Sequence, residues 1–136
     1  MPPKKKSRPD KVSNAITLLW ISLAIDVIDF ILDFSSPLGI ANTSGLDTFM
    51  LIFPFLLACL LLAYFIGETG QGRNWTRILL LVLFILGIPF EIYTYLILEV
   101  GAFSIFLGII DMTILIVAFV FLFQKQSSDW FKSMKK

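Results

Sequence analysis

Four long apolar runs dominate this sequence and restrict what it can fold into. They cover residues 12–34, 47–66, 75–98 and 103–123 and hold 23, 20, 24 and 21 residues. A helix of about 20 residues crosses the roughly 30 Å hydrocarbon core of a bilayer. All four runs reach that length, and each is apolar around most of its circumference. We therefore predict an all-α membrane protein with four transmembrane helices.

The composition points to lipid as the surrounding medium. Hydrophobic residues make up 57% of the 136 residues, and charged residues make up only 15%. Soluble domains carry about 25% charged residues and no more than about half apolar ones. The net charge of +1 gives no reason to expect a nucleic-acid partner. The expected partner is therefore the lipid bilayer.

The distribution of Lys and Arg predicts the orientation. All eleven lie within segments 4–11, 73–77 and 125–136, whereas segments 35–46 and 99–102 contain none. Basic segments of membrane proteins stay in the cytoplasm. We predict an up-down-up-down bundle in a bacterial inner (plasma) membrane, with the N-terminus and C-terminus both cytoplasmic.

The two ends of the chain are predicted to be basic tails. We expect residues 1–11 to be disordered and residues 124–136 to form a cytoplasmic tail. Such tails fix the direction of insertion, and they also attract anionic lipid by about 1 kcal/mol per basic residue near the surface. Both interpretations stay open.

Several side chains at the cytoplasmic helix ends suit a membrane interface. Indole rings prefer that region, and long basic side chains reach from it to lipid headgroups. Asn74 precedes the third apolar run and is expected to cap its free backbone N–H groups. The predicted interface anchors are Arg73, Trp75, Arg77 and Trp130.

Three carboxyl side chains lie inside the apolar runs at similar depth. Asp26, Glu91 and Asp111 are 7 or 8 residues from the predicted outer helix ends, which places them about 10–12 Å below the outer boundary. Charge inside a membrane is costly, and that half contains no Lys or Arg to offset it. We therefore identify these three residues as a candidate proton or cation site. The alternative is structural: protonated carboxyls that hydrogen-bond between helices, or a shallow hydrated recess. For Asp29 and Asp33, nearer the surface, we favour the structural interpretation.

Two prolines lie at the same depth as these carboxyls. Pro54 and Pro89 are each expected to kink a helix and to free the carbonyl four residues earlier, at Met50 and Ile85. We predict that these carbonyls contribute to the candidate site.

Residue types needed for many enzymes are missing. The chain has no histidine, and Cys59 is its one cysteine, so histidine-dependent triads and intrachain disulfides are excluded. The spacing of Asp26, Asp29 and Asp33 superficially resembles the metal-binding aspartates of CDP-alcohol phosphotransferases, but the Ala-Arg part of that motif is absent. We expect no enzymatic activity, no catalytic residue, no cofactor and no dedicated metal centre.

Two short motifs carry a resemblance. Gly72-Arg73-Asn74-Trp75-Thr76-Arg77 leads into an apolar helix, and Trp130-Phe131 precedes a basic end. The chain is similar in both to a group of uncharacterised small bacterial four-helix transmembrane proteins. The resemblance implies the four-helix fold and brings no activity.

Two functions are compatible with these features. The first is a non-enzymatic accessory or interaction protein, which packs its helices against a second copy or a membrane-protein partner. Ser104 and Gly108 are small residues four apart, which permits close helix contact, and with Asp111 at the next step we expect this face of the fourth helix to point inward. The alternative is a small proton- or cation-coupled transporter or channel that uses the outer-half carboxyls. It predicts that these carboxyls converge within about 6 Å around one cavity, the range in which charges interact strongly.

Overall fold

The computed structural model describes residues 7–35, 45–97 and 101–134. Within these ranges the chain is helical and contains no strand. Four helices are long and apolar enough to span a membrane, which confirms the four predicted helices. A fifth, short helix follows them. The elements are α1 (Asp10–Ser35), α2 (Gly45–Gly70), α3 (Asn74–Ile97), α4 (Ala102–Phe123) and α5 (Lys125–Ser133).

The outer faces of the long helices are covered with exposed apolar side chains. Phe90 and Leu96 of α3 are 73% and 79% exposed, and similar side chains cover α2 and α4. In water, apolar surface costs about 25 cal/mol per Å², and soluble monomers rarely expose large contiguous patches of it. These faces therefore suit lipid rather than water.

At one end of the bundle, two hydrogen bonds each connect the termini of two helices. The Arg8 guanidinium donates to the Gly70 carbonyl at 2.6 Å, which joins the start of α1 to the end of α2. The Arg77 guanidinium donates to the Leu122 carbonyl at 2.9 Å, which joins the start of α3 to the end of α4. We call this end of the bundle the basic end.

The helices pack unevenly around the bundle. In the described ranges α1 packs most closely on α4 and also contacts α2, and α2 contacts α3. By contrast, α3 touches α4 at few positions. At the end opposite the basic end, the Ser104 hydroxyl of α4 donates to the Asp33 carboxylate of α1 at 3.0 Å. The seam between α3 and α4 is thus the loosest in the bundle.

The hydrophobic core is concentrated at the basic end. Its members come from the start of α1, the end of α2, the start of α3, the end of α4 and from α5. The bundle is therefore tightly packed in this half, and its other half holds most of the partly buried acidic groups. The buried apolar residues are Val12, Ala15, Leu19, Ile66, Leu80, Ala118, Phe119, Leu122, Trp130 and Phe131.

The turn between α2 and α3 is stabilised by backbone conformation and hydroxyl groups. Gly72 adopts a φ of +90°, which favours glycine. The hydroxyls of Thr69 and Thr76 hydrogen-bond at 2.8 Å. The expected cap by Asn74 is wrong: in the described part of the chain its buried Oδ1 has no hydrogen-bond partner. Thr76 instead donates its hydroxyl to the Arg73 carbonyl at 2.7 Å, within this turn.

The predicted C-terminal tail contains α5, which folds back onto the basic end. Trp130 is only 4% exposed, and the Ser127 hydroxyl donates to the Phe121 carbonyl at 2.6 Å. Trp130, which we expected in lipid headgroups, is buried in protein because α5 turns its apolar face onto the bundle. Residues 1–6 and 135–136 of the predicted tails lie outside the described residues, and Asp10 and Lys11 already belong to α1.

Arg77 also differs from its predicted role. The residue is 7% exposed, and its guanidinium lies over the rings of Phe123 and Phe131 at 4.9 and 4.5 Å. Because α5 covers this site, Arg77 binds protein groups rather than lipid headgroups. Arg73 and Trp75 are exposed, and their role as interface anchors stays a prediction.

Candidate functional site

A cavity of about 590 Å³ lies between the four long helices. Its polar lining consists of Ser22 and Asp26 from α1, Glu91 from α3 and Asp111 from α4; the other described lining residues are apolar side chains and Gly87. Its volume is within the range of about 300–1,000 Å³ typical of small-molecule sites. The structure thus places all three predicted site carboxyls on one cavity.

Asp111 is the most buried of the three carboxyls. It is 9% exposed, and its Oδ1 has no hydrogen-bond partner among the described residues. Ser22, which lines the same cavity from α1, is a close neighbour of this carboxyl group. A buried polar atom without a partner costs free energy, so such atoms usually bind water, an ion or a ligand. Asp111 therefore offers an unused acceptor inside the bundle.

Glu91 is held by its neighbour one turn later. The Tyr95 hydroxyl donates to Glu91 Oε1 at 2.8 Å. Opposite them, Gly108 of α4 leaves the space that Tyr95 fills, since a Cβ at Gly108 would collide with the Tyr95 hydroxyl. The two small residues predicted on α4 thus contact side chains of other helices. Gly108 leaves space for Tyr95 of α3, and Ser104 hydrogen-bonds to Asp33 of α1.

Asp29 and Asp33 lie outside the set of residues that line the cavity. The Ser104 hydroxyl donates to Asp33 Oδ1 at 3.0 Å, and the Asp29 carboxyl lies near the same hydroxyl. These contacts join α1 to α4. The hydrogen bond of Asp33 matches the structural interpretation that we favoured, whereas Asp29 Oδ1 is buried and has no hydrogen-bond partner among the described residues.

The two prolines lie inside α2 and α3 as predicted, but away from the cavity. Neither Pro54 nor Pro89 is among the described lining residues, and neither is Met50 or Ile85, whose side chains are exposed. The predicted contribution of their freed carbonyls to the site is therefore wrong, because these helix faces point outward. The kinks themselves stay a prediction.

The end of the cavity nearer the basic end is aromatic. Phe65, Phe84 and Phe119 line it, and the rings of Phe84 and Phe119 are 5.2 Å apart. Phe84 precedes Glu91 by 7 residues and Phe119 follows Asp111 by 8, so the aromatic and acidic ends are about 10–12 Å apart along the bundle. Sequence reasoning did not single out these rings, because nothing in the pattern of 14 phenylalanines distinguishes a cavity from lipid.

The three carboxyls come from three different helices and lie at a similar level of the cavity. In residues 7–35, 45–97 and 101–134, no three His, Cys, Asp or Glu side chains form a group that could hold a metal ion. Asp26 nevertheless interacts electrostatically with both Asp111 and Glu91. These three carboxyls, which we call the acidic wall, lie at one end of the cavity. The rest of this chamber is lined mostly by apolar residues.

No protein-family model matches this sequence, and no curated protein or solved structure matches it either. The resemblance to small bacterial four-helix transmembrane proteins therefore stays a prediction. Function has to be inferred from the geometry of this chain.

Proposed function

We propose that this chain is a multi-pass integral protein of a bacterial inner membrane, arranged as an up-down-up-down bundle with both termini in the cytoplasm. Four helices of spanning length support the multi-pass arrangement. One end of each of the four long helices lies at the basic end. The sequence segments next to these helix ends contain every Lys and Arg. By the positive-inside rule, the basic end faces the cytoplasm and the acidic wall lies in the outer half.

Within the membrane, the chain is proposed to act as a small non-enzymatic transporter that exchanges a cation for a proton. One observation carries this proposal: Asp26, Glu91 and Asp111 line a single cavity, and no Lys or Arg is among its described lining residues. A carboxylate in such surroundings needs a proton or a cation to offset its charge. When a cation binds, a carboxyl group releases its proton to water. When the cation leaves, the carboxyl takes a proton up again.

The exchange is tested by measuring proton movement across the membrane of proteoliposomes that contain the purified chain. Vesicles with a trapped pH-sensitive dye would receive gradients of Na⁺, K⁺, tetramethylammonium or 3-phenylpropyltrimethylammonium. We expect at least one cation to drive proton movement in the wild type, and Asp111→Asn to reduce it at least tenfold. Asp129→Asn, at an exposed position on α5, is the matched control and should transport normally. A wild-type signal equal to that of empty vesicles contradicts the transport proposal.

An accessory role through helix packing is the second candidate. The loose seam between α3 and α4, together with the exposed face of α3 around Phe90, favours it. Chemical crosslinking in native membranes, followed by purification of the chain, distinguishes the two roles. A stoichiometric second copy or protein partner, combined with no cation-driven signal, supports the accessory role.

A further inference from the structure

We infer that the cavity binds a monovalent organic cation that has an apolar body and carries its charge at one end. The inference depends on the proposed cation-binding function and specifies the class of ligand. It is carried by the shape of one chamber, in which an acidic wall and an aromatic end are about 10–12 Å apart along the helices.

The charged end of the ligand is defined by the acidic wall. Asp111 Oδ1 is buried and has no partner in the described part of the chain. Asp26 and Glu91 are close enough for their charges to interact, and Tyr95 already holds one oxygen of Glu91. A positively charged group beside Asp111 offsets this negative charge where no described Lys or Arg lines the cavity.

The apolar body of the ligand is defined by the rest of the lining. From the carboxyls and Ser22 toward the basic end, the described lining side chains are apolar, with Leu80 and Leu115 beside the aromatic rings. A small hydrated ion would leave this volume filled with poorly bound water. The described residues contain no group of three carboxyl, thiol or imidazole side chains that could hold a bare metal ion. An aryl or alkyl chain fills the volume and stabilises the complex by burial of apolar surface.

Access for such a ligand follows from the helix packing. The cavity is lined on one side by α3, from Leu79 to Glu91, and on another by α4, from Asp111 to Phe119. In the described ranges these two helices contact each other less than α1 contacts α4 or α2, and less than α2 contacts α3. An amphipathic cation collects at the membrane surface, so the seam between α3 and α4 gives it a short path to the chamber.

Binding to the purified chain in lipid nanodiscs tests the ligand class. The three radiolabelled probes are 3-phenylpropyltrimethylammonium, its neutral carbon isostere and tetramethylammonium, with empty nanodiscs as the correction for partitioning. We expect the first to bind at least tenfold more tightly than either other probe. Asp111→Asn should weaken the affinity for this probe at least tenfold, and Asp129→Asn should leave it unchanged.

A second variant tests the apolar part without touching a carboxyl. Leu115→Trp fills the chamber one turn from Asp111, and its folding is checked by gel filtration and thermal unfolding. We expect this variant to bind 3-phenylpropyltrimethylammonium at least tenfold more weakly than the wild type does.

The outcomes separate this inference from the function on which it rests. Equal binding of tetramethylammonium overturns the inference and leaves cation exchange standing. Equal binding of the neutral isostere shows a lipid or apolar site and overturns it as well. Failure of every cation, in binding and in proteoliposomes, overturns both.

Discussion

The guanidinium of Arg77, near the start of α3, donates a 2.9 Å hydrogen bond to the Leu122 carbonyl at the end of α4. The last four carbonyls of a helix lack partners within it, so Arg77 satisfies one of them and places a positive charge at the negative end of the helix dipole. Since α3 and α4 make few other contacts in the described ranges, this bond is a principal link between them at the basic end.

Removal of this buried cation should destabilise the bundle. Arg77→Met leaves the Leu122 carbonyl without its donor, and hydrogen bonds to charged groups contribute about 1.5–3 kcal/mol. We expect a loss of that size in the free energy of unfolding, measured by SDS titration of the protein in mixed micelles. Lys125→Met, at an exposed position on α5, is the control and should change it by less than about 0.5 kcal/mol. Equal effects of the two variants would contradict the structural role of Arg77.

The docking of α5 should depend on Phe131, whose side chain is 0% exposed. Truncation of a buried Phe to Ala costs about 3–5 kcal/mol. Phe131→Ala should therefore release α5 and increase proteolysis after Lys125. Its exposed neighbour Lys132 provides the control, Lys132→Ala. If both variants resist protease as the wild type does, α5 is held by other contacts.

The space at Gly108 should matter through Tyr95. Gly108→Ala places a methyl group where the Tyr95 hydroxyl lies, and Tyr95 must then leave its hydrogen bond to Glu91. We expect a loss of about 1–2 kcal/mol in stability, within the range for overpacking. Tyr95→Phe removes the colliding oxygen, so the double variant should lose less than the sum of the single changes. Gly87→Ala, with no atom within 4 Å of its added Cβ, should be neutral or slightly stabilising.

The proposed orientation predicts opposite labelling of two engineered cysteines. In a Cys59→Ala background, Thr43→Cys should react with a membrane-impermeant maleimide on intact cells. Ser133→Cys, exposed on α5, should react only after the membrane is permeabilised. Labelling of Thr43→Cys from the cytosolic side alone would show that the positive-inside assignment fails.

The helices show where prediction from sequence succeeds and where it stops. Each apolar run is long enough to be a helix by itself, so the four spans were predictable. The helix α2 continues to Gly70, four residues beyond the predicted end, because the backbone turns only at Gly72. The nine residues of α5 were not predicted as a helix, since so short a segment gains most of its stability from packing.

For the candidate site, the level of each residue along its helix was predictable and its surroundings were not. Counting residues from the helix ends placed Asp26, Glu91 and Asp111 at one level, and they line one cavity. The same counting placed Pro54 and Pro89 at that level, yet neither is among the described lining residues. Depth depends only on position along a helix, whereas the inward face also depends on rotation about its axis.

The sequence by itself determined that the chain forms four apolar helices and at what level along its helix each carboxyl lies, because both follow from length and composition along one direction. Only the tertiary structure decided which faces turn inward. Helices that are apolar on every side carry no periodic signal for rotation, so packing between them places Asp111 at the cavity. Packing of α5 onto the bundle likewise buries Arg77 and the Trp130 side chain of α5 itself instead of leaving them to lipid.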